Sequence, residues 1–345
     1  MQKITIFSFF TMLTIASCIS KNERTEKKVE NIVVSPVRTL DRISDSILVG
    51  RISSITAQEN IVMIGDGKNN RVLVTDANFK LKYILGKLQG NGPGEFNYVK
   101  HHLIKDGRIY ANDRGNNRIN IFNTANGEFI KSIKLRDRTS IVTAQFYLDN
   151  DNNIYYSTDP ETNGKMLLKL DSNGKIIKKF GDILQKAIDP VEQINTNFKE
   201  MVVANNRIIS VGRTLGVVEI HDLNGNKINS FDISKYEPIK TNSELVKNNI
   251  KADPSAAYIL HGFCYVRGEH LYIGPADWTP TLINKRDIMV FKWSDTSCEL
   301  IKTINFKTNK DDDMTLFEPY FVSEDEKTIY AQGGSTKKLY TFKMP

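Results

Sequence analysis

The chain has 345 residues, 40% of them hydrophobic, with 47 lysines and arginines against 40 acids, a formal net charge of +7. Its basic residues are interspersed with acids along the whole length, where a nucleic-acid-binding arm would cluster them, so nucleic acid is not expected as a partner. Three cysteines without a CxxC spacing exclude a disulfide scaffold and a small zinc domain.

In chain order, the first segment is MQKITIFSFFTMLTIASCIS, in which Lys3 precedes an apolar run from Ile4 to Ile15 and the small residues Ala16 and Ser17. The run is too short to span a bilayer, and residues 1–17 read as a secretory signal whose removal takes Lys3 with it. Its end, Ile15-Ala16-Ser17-Cys18, resembles the lipobox of bacterial lipoproteins. That resemblance implies that Cys18 becomes the acylated first residue of the mature chain, anchored to a membrane of the bacterial cell envelope and either periplasmic or surface-exposed. Each buried methylene of such an anchor contributes about 0.8 kcal/mol. Residues 18–29 are polar and charged, with too little apolar surface to order themselves, and form a tether. The remaining segment, 30–345, contains no second apolar run of membrane-spanning length.

That segment repeats. ENIVMIGDGKNNRVLVTDANFKLKYILG from Glu59 and GRIYANDRGNNRINIFNTANGEFIKSIKL from Gly107 both run apolar strand, Asp-x-x-Asn-Asn-Arg, apolar strand, asparagine turn, apolar strand. Weaker copies begin at Asn152, Asn206 and Glu269, and a partial copy begins at Lys327. Alternating Ile, Val, Tyr and Phe, broken by Asn-Gly, Asp-Gly and Asn-Asn turns that accept positive φ, predict short antiparallel strands. One further apolar stretch lies between copies each time, as in YVKHHLI from Tyr98, giving six units of four strands. The prediction is an all-β, six-bladed β-propeller. The last copy supplies three strands before Pro345, so ENIVVSPVRTL, Glu30 to Leu40, is expected to provide its outer strand and close the ring, removing exposed edges.

The stretch from Gly86 to Leu135, GKLQGNGPGEF followed by an inner strand and the Asp-x-x-Asn-Asn-Arg copy, resembles one complete NHL repeat, and the whole pattern resembles NHL-repeat and TolB-like propellers. The resemblance implies the fold; such propellers include binding proteins and enzymes alike. GNGPGEF itself lacks the lysine and the following helix of a phosphate-binding loop. Leading into YVKHHLI, it reads as the crossing between two blades, with Pro93 stiffening it and Phe96 plugging between the blades.

If the strands of each blade are lettered A to D from the axis outward, the D-to-A crossings and B-to-C turns leave on one face, and the A-to-B and C-to-D turns on the other. The long insertions, from Gly181, Ser234, Gly274 and Thr158, all belong to the first face. Long loops are uncommon without a role, which marks this face as the binding surface for a protein, peptide or glycan. TNSELVKNNI within it predicts a short helix. Trp278, Tyr236, Tyr258, Arg114 and Arg213 are its candidate anchors, since aromatic and arginine side chains bury much area at modest entropic cost.

No serine-hydrolase elbow or His-Glu-x-x-His motif is present, and no cofactor is expected. The alternative to a binding module is a calcium-dependent hydrolase or lyase at the channel mouth, using oxygen ligands such as Glu200 and Glu318 with His261; Glu95 and His101 also fall near the inner strands. His101 and His102 are adjacent on one strand and so point to opposite sides of it. Asp-x-x-Asn-Asn-Arg ends in a cation and lacks the bidentate acid of a calcium loop, so it is expected to shape a turn. Cys264 and Cys298 fall too many strand spacings apart for a disulfide and are expected to be free, buried thiols.

Overall fold

Ribbons of β-branched and aromatic residues need a packing partner on each side, and six such sheets placed radially about one axis supply it. The computed structural model describes residues 29–86, 89–135, 145–158, 164–187, 189–237, 239–252, 261–275, 287–307, 317–333 and 337–345. Blade one consists of Ile52–Gln58, Ile61–Asp66, Arg71–Asp76 and Leu81–Leu85, and blade two of Val99–Lys105, Arg108–Asp113, Arg118–Asn123 and Phe129–Lys134. Blade three is built from Phe146–Leu148, Ile154–Ser157, Lys165–Leu170 and Ile176–Asp182, and blade four from Lys199–Ala204, Arg207–Gly212, Val217–Asp222 and Lys227–Asp232. Blade five holds His261–Arg267, His270–Pro275, Ile288–Ser294 and Ser297–Phe306; blade six holds Phe317–Val322, Thr328–Gly333 and Leu339–Lys343. Within these six blades consecutive strands pair antiparallel, as the repeat predicts.

The ring closes in a way the sequence pattern only half specifies. Pro36–Leu40 pairs antiparallel with Leu339–Lys343 and is the fourth strand of blade six. Glu30–Val34, expected in that same strand, instead runs parallel to Ser297–Phe306 as a fifth, outermost strand of blade five. Blade five offers a ten-residue outer edge, and Ile32 and Val34 bury against it while Val33 points out. Pro36, without an N–H, opens the second strand at an outer edge, where a missing donor costs least. One segment therefore clasps two blades before a small hairpin, Arg42–Ser44 with Ile47–Leu48, leads into blade one.

The expected alternation holds least in the middle of each sheet. Ile61–Asp66 is buried at every position and Arg71–Asp76 nearly so, because both faces of a central strand meet neighbouring blades. Outer strands such as Lys227–Asp232 are mostly exposed. The core is consequently a set of inter-blade layers: Met63, Val72, Val74 and Leu85 of blade one pack with Phe96, Ile109 and Phe122.

Turns follow the predicted chemistry. Glu59–Asn60, Asp106–Gly107 and Asn205–Asn206 all have positive φ, the pair of left-handed residues that a tight hairpin requires. In the C-to-D turns, Asp76, Asp171 and Asp222 each accept the backbone amides two and four residues on. Among the described residues, the two α-helices, Pro190–Asn197 and Ile239–Ala252, lie in D-to-A crossings, on the face to which the sequence assigns the long insertions.

Candidate functional site

The crossing from blade one to blade two positions the inner rim of that face. Arg118 donates through Nε to Asp113 at 2.8 Å and through its terminal nitrogens to the carbonyls of Asn91, Gly92 and Glu95 at 2.8 to 2.9 Å. Asp113, fully buried, also accepts from the amide of Asn97 and from Asn116 Nδ2. The arginine of Asp-x-x-Asn-Asn-Arg thus neutralises the aspartate of its own motif and holds GNGPGEF in place; Asp66 and Arg71 repeat the ion pair at 2.9 Å in blade one. Asn70 and Asn117 take the left-handed conformation, the turn role expected of them. Phe96 is fully buried between blades one and two, and a Cβ on Gly86, at φ +72°, would lie 2.2 Å from its ring.

Beyond Phe96 the chain is held in an unusual conformation. Tyr98 has φ +75°, rare for a bulky side chain, while its amide donates to Asn70 Oδ1 at 2.6 Å and its carbonyl accepts from the Arg114 amide. The Arg114 guanidinium lies 5.9 Å from the centroid of the Tyr98 ring. Its Nε is buried and has no hydrogen-bond partner.

Next in the strand comes a β-bulge. Val99 pairs with Asp113 and His101 with Asn112, leaving Lys100 unpaired between them. The inner strand of blade five has a bulge of its own, with Gly262 and Phe263 lying between the paired residues His261 and Cys264. Bulges re-aim side chains; Phe263 stays in the buried cluster with Tyr265, Tyr320 and Phe321, and half-buried Lys100 reaches it. Blades two and five face each other across the ring, yet Lys100 Nζ lies 5.4 Å from the Phe263 ring centroid. From blade four, the Arg213 guanidinium approaches the same ring at 5.9 Å and Glu200 Oε2 at 3.8 Å. Lys100, Phe263, Arg213 and Glu200 form a floor across the channel below the crossing face.

Beneath that floor is a cavity of about 310 Å³, lined from all six inner strands by residues including Thr56, His102, Tyr147, Val203, Arg267 and Phe321. These residues are nearer the A-to-B turns, so the cavity opens on the face opposite the long insertions. Burial pushes His101 and His102 down to about 3; the positive charge of Lys100 adds to the effect on His101. The two rings diverge as expected: His102 Nδ1 meets Thr56 Oγ1 of blade one at 3.0 Å, and His101 packs edge-on to Phe146 of blade three. Arg267 donates to the carbonyls of Val266, Val322 and Ser323, stitching blade five to blade six. Burial raises Tyr147 well above its usual value, with the charges of Cys264 and Glu200 acting in the same direction.

Of the anchors chosen from sequence, Arg114 and Arg213 meet this inner rim. Arg213 is only 2% exposed and engages Glu200, so it belongs to the floor rather than to the open surface. Tyr236 is half-buried at the blade four to five crossing, its ring edge-on to Phe291 and capped by Lys235. Trp278 and Tyr258 lie outside the described residues, as does Cys18. Among the acids considered for calcium, Glu200 faces a guanidinium, while the side chains of Glu318 and His261 are outside the described set. Glu95 caps its own loop by accepting the Gly92 amide. Cys264 and Cys298 are free and buried, and burial pushes the Cys298 thiol up to about 12. Sequence reasoning missed Tyr98, Lys100 and Phe263: the first depends on a backbone angle, the second on a bulge and the third on a contact across the ring, none of which leaves a mark in an apolar-polar pattern. It also missed the buried pair of Lys199 and Glu219, at 2.5 Å, inside blade four.

Known proteins share this architecture. Over 72 residues the chain is 36% identical to NHL repeat-containing protein 3 of Homo sapiens, covering 20% of each chain, and over 75 residues it is 35% identical to the Mus musculus protein, covering 21% of each. It thus spans about a fifth of these relatives' length. A putative exported protein from Bacteroides fragilis superposes with a TM-score of 0.57 at 15% identity over 88% of both chains. A member of the duf4221 family from Bacteroides vulgatus does so with a TM-score of 0.57 at 10% identity, over 90% of this chain and 97% of that one. At such identities the likeness is one of fold. The model of the DUF5128 family, a 6-bladed beta-propeller, matches residues 21–206, more than half of the sequence, and the chain belongs to that family.

Proposed function

We propose that this propeller is an exported, lipid-anchored binding module that captures a protein, peptide or glycan on its crossing face. The observation that carries the reading is that both α-helices among the described residues lie in crossings of one face, whose inner rim holds strained Tyr98 against Arg114. Residues held in sparsely populated backbone regions cluster at ligand clamps, and long loops persist where they have a role. Arg114 and Tyr236, together with Trp278 and Tyr258 in the insertions, are the proposed contacts. Export and anchoring rest on the signal-like residues 1–17 and on Cys18; the fold's likeness to a putative exported protein agrees with them. Glu200 engages Arg213 at 3.8 Å, which favours binding over calcium-assisted hydrolysis.

The test is to express the full chain in its own cells with a photo-crosslinking residue at Lys68, exposed on the crossing face, or at Lys175, in a C-to-D turn of the opposite face. A discrete adduct from Lys68 and none from Lys175 is the expected result. Adducts from Lys175 alone would overturn the assignment of the face. Cys18→Ser is expected to move the protein out of the membrane fraction; continued membrane retention would remove the anchor from the reading.

A further inference from the structure

The floor of the channel carries more positive than negative charge, and its cations are unequally employed. Arg213 faces Glu200. Lys100 lies over the Phe263 ring without an ion pair among the described residues, and Arg114 lies over Tyr98 with a buried Nε that has no partner. A cation–π contact leaves the cation's N–H donors unused, and a charge-assisted hydrogen bond to an anionic oxygen would use them. The two residues are neighbours along the backbone: the Arg114 amide donates to the Tyr98 carbonyl, and Lys100 is two residues farther along that strand. Exposed Arg51, which precedes the inner strand of blade one, adds a third cation to the same rim. The bulge is what brings Lys100 here, since a regular register would leave its side chain in line with its neighbours between blades.

We propose that the mouth above this floor is a specific site for an anionic oxygen group, a carboxylate or a phosphate, held between Lys100 and Arg114. The inference rests on the crossing face being the binding face and gives its ligand a chemistry: the group that enters the axis is an acid. Arg213 and Glu200 stay paired beneath it, so that the guest meets a floor whose own acid is already neutralised.

Titration of the full chain with succinate, inorganic phosphate and neutral succinamide, followed by amide chemical shifts, tests this directly. Saturable shifts confined to Tyr98, Lys100, Arg114 and Phe263 are expected with at least one of the acids and not with succinamide. Saturation by succinate alone assigns a carboxylate, and by phosphate alone a phosphate. Lys100→Met and Arg114→Met are each expected to weaken binding at least about ten-fold, Lys100→Arg to restore most of it, and Lys68→Met to change nothing. Sodium chloride at matched ionic strength serves as the control for general salt effects, which are unsaturable and diffuse. Failure of both acids to saturate, or equal binding by the Lys100→Met and Arg114→Met variants with their native spectra retained, would overturn the proposal. A discrete adduct from Lys68 in that case would leave the face assignment standing and sink only the acidic ligand.

Discussion

Replacing Arg118 separates two jobs that one side chain performs. Its Nε pairs with Asp113 at 2.8 Å, and its other nitrogens hold the carbonyls of Asn91, Gly92 and Glu95. Asp113 is fully buried and Arg118 only 14% exposed, so water replaces these bonds poorly. Arg118→Met leaves a buried carboxylate with the Asn97 amide and Asn116 but no cation, a change that costs about 3–5 kcal/mol when one partner of a buried pair is removed. Arg118→Lys keeps the charge beside Asp113 and lacks the planar fork needed for the three carbonyls, for a loss of roughly 1–3 kcal/mol at about 1 kcal/mol per bond. Amide exchange is the more telling assay, because a ring of blades opens locally before it opens globally. The amides of Gly90, Gly92 and Glu95 bond to Phe96 O, Glu95 Oε2 and Gly92 O, and their protection is expected to fall in the order wild type, Lys, Met. Equal protection in the Lys and Met variants would refute a role for the fork. A Met variant within about 0.5 kcal/mol of wild type in denaturant would refute the estimate for the buried pair.

Val34→Asp, at a 3% exposed site against the outer strand of blade five, is expected to destabilise by at least the roughly 1.5–3 kcal/mol of a buried valine, whereas Val33→Asp, 62% exposed, is expected to be neutral in the same urea titration. Both Cys264 and Cys298 should resist a thiol reagent at mildly alkaline pH until the fold is opened with denaturant, since burial raises both thiols. Burial lowers His101 and His102 to about 3 and His221 to about 4, against an unfolded value of 6.5. Because the unfolded chain takes up these protons first, the stability from keeping the rings neutral is complete above about pH 6.5 and is lost as pH falls toward the folded values, at about 1.4 kcal/mol per pH unit for each histidine. His221→Leu is expected to reduce that slope, measured as the change in urea midpoint between about pH 7 and about pH 5; an unchanged slope would contradict a neutral, buried His221.

Parts of the molecule that repeat were legible because repetition is a statement about backbone. Asn60, Asn117 and Asn206 announce positive φ, and the apolar runs between them have no other use than blades. Phe96 could be placed between blades because GNGPGEF leads into a strand instead of a helix. Legibility failed where the deciding quantity is a competition between edges. Glu30–Val34 carries the same alternation whether it joins blade five or blade six, and its parallel pairing with Lys302–Phe306 is not written in that alternation. It failed again at the axis, since the apolar-polar pattern cannot say that Lys100 is unpaired in its ladder while His101 is paired.

Comparison of blades one and two shows why the ligand chemistry resides in such departures. Their Asp-x-x-Asn-Asn-Arg turns align residue for residue in sequence and share the Asp–Arg ion pair, so Gly67 of blade one corresponds to Arg114 of blade two. The inner-strand bulge is shared as well: Ser53 lies unpaired between Ile52 and Ser54 as Lys100 lies between Val99 and His101. The backbone irregularity therefore recurs without the cation, and blade five has its own at Gly262–Phe263. If the bulge existed only to bend the strand, serine would serve in each blade, as it does at Ser53. A lysine there places an uncompensated charge in a channel where it is half-buried, a cost that a binding role for the site offsets and a purely structural role does not. Lys100→Ser is accordingly expected to leave the fold intact or slightly stabilised in denaturant while abolishing anion binding. A marked loss of stability in that variant would show that the ammonium is there for the floor itself and would remove the physical basis for a ligand at the axis.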